Sequence, residues 1–101
     1  MRSWIIALPR QELLRCIEIG CFGKEKVGDR IAEVQEGDGI SCYALRESKI
    51  IALGKITKGY YVDDSPKFLK EGSFSHRFDF SAELLVEREI NVSTLSQALT
   101  S

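Results

Sequence analysis

The run Phe74–Phe80 sets Phe74, His76, Phe78 and Phe80 at alternate positions, with Ser75, Arg77 and Asp79 between them. Period-two alternation marks a strand that buries one face. A second run, Ile50–Ile56, is apolar and β-branched apart from Gly54 and Lys55, as a buried strand is. Between the two, Tyr60, Tyr61, Pro66 and Phe68 stand among Gly, Asp, Ser and Lys. A connection of about 16 residues without regular structure is uncommon in a small domain and is usually functional or disordered. Its aromatics argue against disorder. The chain has therefore to build a sheet around a long aromatic loop.

Other elements follow from local signals. Ser3–Leu8 reads as a strand, apolar on both faces and so expected at the sheet centre. Pro9 ends it. Arg10–Ile19 places Leu13, Leu14 and Ile17 at helical spacing, and Gly20 is the natural residue after the helix. Cys21–Val27 reads as a loop that opens on an aromatic and turns basic. Asp29 can cap a short helix, Arg30–Glu36, with Ile31 and Val34 inward and Gly37 as its stop. Gly39–Leu45 is a strand, and the turn at Arg46–Lys49 makes a hairpin with Ile50–Thr57. Phe74–Glu87 is a long strand or a bent pair. Asn91–Leu99 reads as a closing helix capped by Ser93 or Asn91. Strands dominate, which predicts an α+β chain: a small curved, mainly antiparallel sheet with two to three small helices and the first strand added by crossover.

Length and composition exclude several classes. The chain has 101 residues, room for one domain with one modest core. That domain is expected over residues 1–101, its core over about 3–87, with 88–101 a closing helix or the start of a linker to something longer. The net charge is −1, so a nucleic-acid site would have to come from local charge. No apolar run is long enough for a membrane helix, and the N-terminus does not read as a signal peptide. Cys16, Cys21 and Cys42 sit in apolar contexts and read as reduced core thiols of a cytoplasmic protein. With a single His they show no metal-ligand spacing. Nucleotide loops, Ser/His/Asp spacing and HExxH are absent. Asp63 and Asp64 read as turn formers before a catalytic pair. A binding module without cofactor is the expected class, not an enzyme.

In order along the chain, the motifs resemble an EVE domain of the PUA-like superfamily, a relative of the YTH domain. They are Trp4-Ile-Ile-Ala-Leu-Pro9, Gly20-Cys-Phe22-Gly23, and Gly37-Asp38 before a strand holding Tyr43. Ala52-Leu-Gly54 follows, then Tyr60-Tyr-Val-Asp63-Asp64-Ser65-Pro66-Lys-Phe68, and finally Phe74-Ser-His76-Arg77-Phe78. Leu8 stands where many EVE domains have Ser, and Phe22 and Phe68 where the YTH relatives carry Trp.

The resemblance implies a PUA-like pseudo-barrel that takes a flipped, modified base into an aromatic cage. Mapped by motif, the cage walls are Phe22, Phe68 and Phe74, with Trp4, Tyr43, Leu8 and Ser65 as further base contacts. Lys24, Lys26, Arg30, Lys58, Lys67, Lys70 and Arg77 form the expected basic rim for phosphates. EVE-like domains commonly serve as specificity modules of modification-dependent restriction systems. Methylated DNA is thus the expected partner, with a GTPase (McrB-like) and a nuclease supplying the work. Phe in place of Trp favours an uncharged methylated base over a cation. An RNA reader of N6-methyladenine, like YTH domains, is the first alternative. A small-ligand or protein-binding module using the same pocket is the second.

Plainer readings stand beside these. Phe22 and Phe74 can be core residues, Trp4 a core residue above all, and His76 a hydrogen-bonding one. Tyr60 and Tyr61 can simply pack the loop, and the lysines can be solvated surface.

Overall fold

The computed structural model describes residues 2–25, 30–65 and 74–89. They form strand β1 (Ser3–Pro9), helix α1 (Arg10–Ile19), β2 (Cys21–Lys24), a 3-10 turn (Ile31–Glu33), β3 (Gly39–Leu45), β4 (Lys49–Val62) and β5 (His76–Glu89). The five strands make one curled, mixed half-barrel sheet in the order β1-β3-β4-β5-β2. Only β1 and β3 run parallel; the other pairs are antiparallel. This is the expected α+β barrel architecture, with the first strand added by crossover.

Local chemistry sets the boundaries of α1. Pro9 keeps extended angles (φ −55°, ψ 148°), and Gly20 closes the helix in the left-handed region (φ 69°) with its N–H donating to the Cys16 carbonyl. Leu13 and Cys16 point into the main core with Trp4, Ile6, Leu8, Phe22, Ile31, Phe78 and Phe80. Tyr43, Ala7 and Ile50 form a second cluster, with Ile5, Leu45 and Val86 packed against it. β1 thus alternates, sending Trp4, Ile6 and Leu8 to the main core and Ala7 to the second cluster.

Four expectations need correction. β1 is apolar on both faces, yet it lies at one edge of the sheet; clusters on both its faces, not central placement, explain its composition. Cys21–Val27 is not a loop from its start, because Cys21–Lys24 pairs with Asp79–His76 of β5. β4 does not stop at Thr57 but runs on to Val62, carrying Tyr60 and Tyr61 in the sheet. Gly59 permits this: a Cβ there would lie 2.8 Å from the Val34 carbonyl oxygen. The helix expected over Arg30–Glu36 is a single 3-10 turn, Ile31–Glu33. Ile31 and Val34 are buried as expected. The expected closing helix, Asn91–Leu99, lies outside the described residues, as does the Asp29 cap. Among the described residues no helix is long and apolar enough to cross a membrane.

Candidate nucleic-acid interface

Cross-strand register defines two ends of the half-barrel. At one end lie the starts of β1 and β3 and the end of β4. There Lys24 of β2 and Val62 of β4 both stand opposite His76 of β5. Residues 26–29 and 66–73 connect to this end. It is called the loop end below. Phe22 and Phe78 form its floor, with ring centroids 5.3 Å apart.

Above the floor, the Tyr60 hydroxyl and His76 Nδ1 share a hydrogen bond of 2.8 Å, and their rings lie 9° from parallel. Val62, beside them, is 60% exposed. Asp63 Oδ1 accepts from the Ser65 N–H at 2.9 Å, the turn-forming role expected of it. The Asp63 N–H donates to the Ser75 carbonyl at 2.9 Å. Arg77 alternates with His76 and Phe78 and so leaves β5 on the other face, from which it reaches the ends of the connection. It is 1% exposed, and its Nε donates to the Phe74 carbonyl at 2.7 Å. Its terminal nitrogens donate to the Ser65 hydroxyl and the Ser65 carbonyl, and Asp63 lies 3.7 Å away. One guanidinium therefore ties together the residues on either side of 66–73.

That face carries Tyr61, Cys21 and Asp79 as well as Arg77. The Tyr61 hydroxyl donates to Asp79 at 2.6 Å and lies 3.5 Å from the Cys21 sulfur. Burial, reinforced by those two neighbours, pushes the Tyr61 hydroxyl well above its ordinary pKa. Lys58 sits 4.2 Å over the Tyr61 ring.

A second polar cluster occupies the β1–β3 side of the same end. The Trp4 indole N–H donates to Asp38 at 2.8 Å. Burial works against the Asp38 carboxylate, but hydrogen bonds from Trp4 and from the Arg2 and Gln35 amides outweigh it and hold its pKa low. Arg2 and Arg30 both lie over the Trp4 ring. Both also bond to Glu33, whose pKa falls from 4.5 to about 2 through those hydrogen bonds, Arg30's first and then Arg2's.

Of the expected base contacts, the structure brings Phe22, Phe74 and Ser65 to the loop end. Trp4 is at this end too, but buried with its N–H given to Asp38. Phe22 is wholly buried against Phe78, so it can serve a pocket only as its floor. Leu8 and Tyr43 need correction. Leu8 pairs with Ala44, and Tyr43 with Ile50, at the far end of the sheet, and Tyr43 also faces the second cluster. Leu8 lies about 13 Å along β1 from Trp4 at ordinary strand rise. Neither can share a base with Phe74.

The basic rim is also thinner than the sequence implies. Arg77 is an internal tie rather than a phosphate contact, Arg30 is engaged with Glu33 and Trp4, and Lys24 is only 7% exposed. Lys58 is exposed but sits over the Tyr61 ring on the opposite face. Phe68, Lys26, Lys67 and Lys70 lie outside the described residues. Sequence reading missed the Tyr60–His76 pair and Val62, because it ended β4 too early; the alternation of Tyr60 with Val62 was the available signal.

Burial pushes the Cys16 and Cys42 thiols up to about 12, so both stay protonated. Among the described residues no group of His, Cys, Asp or Glu is arranged to hold a metal ion.

No family model and no curated protein matches the sequence. Solved structures match the fold. The Mmi1 YTH domain aligns with a TM-score of 0.67 at 9% identity, over 95% of this chain and 74% of its own. The fold is YTH-like and PUA-like. The Mmi1 YTH domain in complex with RNA gives 0.63 at 10% identity, over 95% of this chain and 59% of that one. A Pseudomonas putida protein gives 0.61 at 16% identity, over 94% and 76%. This chain thus spans less than two thirds of the RNA-bound Mmi1 chain.

Proposed function

We propose that this domain is a nucleic-acid-binding module that receives an unstacked, modified base at the loop end of the barrel. The register that lines up Lys24, His76 and Val62 over the Phe22–Phe78 floor carries this reading. It gathers the half-buried Tyr60 and His76 rings and Lys24 where two connections meet. Tyr60, half-buried, offers a stacking surface here, Phe74, 7% exposed, offers only a ring edge, and by the resemblance Phe68 supplies another wall. Base–aromatic stacking contributes about 1–3 kcal/mol per base. A buried methyl group adds about 0.8 kcal/mol. Together they offset the few kcal/mol needed to unstack a base.

Methylated DNA is the substrate we favour, on the resemblance to EVE domains of restriction systems. A GTPase and a nuclease would act as cytoplasmic partners, and this domain would select without catalysing. RNA is the second reading, favoured by the RNA-bound Mmi1 YTH domain among the fold neighbours. The test is a binding titration against one duplex carrying, in turn, no modification, 5-methylcytosine, 5-hydroxymethylcytosine, N4-methylcytosine and N6-methyladenine. It is repeated with single-stranded RNA with and without N6-methyladenine. Preference for one modified duplex supports the DNA reading. Preference for the RNA replaces it with the RNA reading. Equal binding throughout, without salt dependence, overturns both.

A further inference from the structure

His76 is the only histidine of the chain, and its two ring nitrogens are differently placed. Nδ1 shares the 2.8 Å hydrogen bond with the Tyr60 hydroxyl. The two rings lie 9° from parallel with centroids 5.9 Å apart. Planes joined by so short a bond are separated by hardly more than its length, so the rings lie side by side rather than face to face. The hydroxyl therefore meets the imidazole at the edge that carries its nitrogens. Among the described residues Nε2 has no hydrogen-bond partner. Among those same residues no buried side-chain nitrogen or oxygen lacks one, so Nε2 is open at the surface. It stands at the loop end, with Lys24 of β2 on one side of His76 and the 60% exposed Val62 of β4 on the other.

The inner hydrogen bond decides what Nε2 presents. A phenolic O–H is a better donor than a neutral imidazole N–H, and an imidazole nitrogen is a better acceptor than a phenolic oxygen. The favoured arrangement has the Tyr60 hydroxyl donating to Nδ1, which puts the proton of the neutral ring on Nε2. We propose that His76 is a specificity-determining residue of the base site: its Nε2–H, held in that tautomer by Tyr60, donates to an acceptor, a carbonyl oxygen or a bare ring nitrogen, on the edge of the bound base. This rests on the reading of the loop end as the site of an unstacked base. The fixed proton makes the contact selective. A base that turns an acceptor to Nε2 completes the hydrogen bond, whereas one that turns an amino group to it sets two donors against each other. A site built to bond one polar group discriminates because a mismatch leaves that group unpaired.

The full chain tests this by heteronuclear NMR of the histidine ring in mildly alkaline buffer, where imidazole is neutral. Nitrogen shifts distinguish a protonated ring nitrogen from a bare one. In the free protein Nε2 should carry the proton, and Tyr60→Phe should leave a mixture of tautomers. Titration with the duplexes and RNAs named above should move the Nε2–H signal only with the preferred modified ligand. His76→Phe should lose roughly fivefold or more in affinity for that ligand, as the loss of one hydrogen bond implies. It should lose nothing for the unmodified counterpart, which stays stacked and meets the protein through its backbone. A free protein with the proton on Nδ1 overturns the proposal, whether or not either variant folds. So does binding of the modified ligand that leaves the Nε2 signal in place. So does an equal loss with both ligands, which would put the donor on a phosphate. In these three cases the reading of the site survives. Failure of every oligonucleotide to bind overturns that reading and this inference together.

Discussion

Two aromatic–arginine clusters share the loop end of this barrel, and they are wired differently. On the β1–β3 side, Arg2 and Arg30 lie over Trp4 and both guanidiniums end on the Glu33 carboxylate, while Asp38 accepts from the Trp4 indole and the Arg2 backbone N–H. On the β4–β5 side, Arg77 ends chiefly on backbone: the carbonyls of Phe74 and Ser65. The first arrangement joins strand starts to the 3-10 turn and holds scaffold. The second holds the two residues that flank 66–73, and so sets the frame from which that connection springs. The same residue types therefore do opposite jobs, according to whether their partners are side chains or loop carbonyls.

Breaking the Phe22–Phe78 floor of the loop end should cost most. Phe22→Ala removes a wholly buried ring from contact with Phe78 and should lower stability by about 3–5 kcal/mol, read by urea unfolding. Arg77→Leu should come next, at about 2–3 kcal/mol, because it strips charged donors from the buried Phe74 carbonyl and the Ser65 carbonyl. Arg77→Lys keeps the charge but not the fork. It should recover part of the stability while leaving base selectivity impaired, measured as the ratio of affinities for modified and unmodified oligonucleotides. A recovery of both would erase the distinction between the clusters.

The first cluster should answer more gently. Trp4→Phe removes one donor from Asp38, which keeps the Arg2 and Gln35 amides, and should cost about 1 kcal/mol with selectivity unchanged. Its carboxylates also give this side an acid dependence. Glu33 is held at about 2 against an ordinary 4.5. A depressed carboxylate stabilises the fold above its unfolded pKa and loses that contribution as pH falls through the folded one. The contribution of Glu33 is thus complete at neutral pH and is lost between about pH 4.5 and 2. Glu33→Gln should lower the unfolding midpoint slightly at pH 7, and the difference from wild type should close across that window. A constant difference would sever Glu33 from the Arg2 and Arg30 pair.

Legibility in the sequence followed the range of the interactions. Helix α1 was readable to the residue, because Pro9 and Gly20 bound it locally. β3 was readable for the same kind of reason, a β-rich run between Gly39 and the turn at Arg46. β2 was not: four residues that include a glycine become a strand only by pairing with β5, more than fifty positions on. The site was partly legible. The ordered motifs led to the correct fold, and three of their residues, Phe22, Ser65 and Phe74, come together at the loop end. They could not show that Leu8 and Tyr43 sit at the other end, since that depends on the β1–β3–β4 register. Nor could composition show that Arg30 and Arg77 are engaged within the protein, because a charge in a sequence carries no record of its partner.

The most direct measurement is oligonucleotide binding by Tyr60→Leu and Trp4→Phe side by side, each titrated with the preferred modified ligand and its unmodified counterpart across a salt series. The account predicts that Tyr60→Leu loses roughly tenfold or more in affinity for the modified ligand, as the loss of one stacked aromatic implies. Its residual binding should keep the wild-type salt slope, and Trp4→Phe should bind as wild type. Equal losses in both variants, or none in either, would contradict the claim that the β4–β5 side of the loop end receives the base.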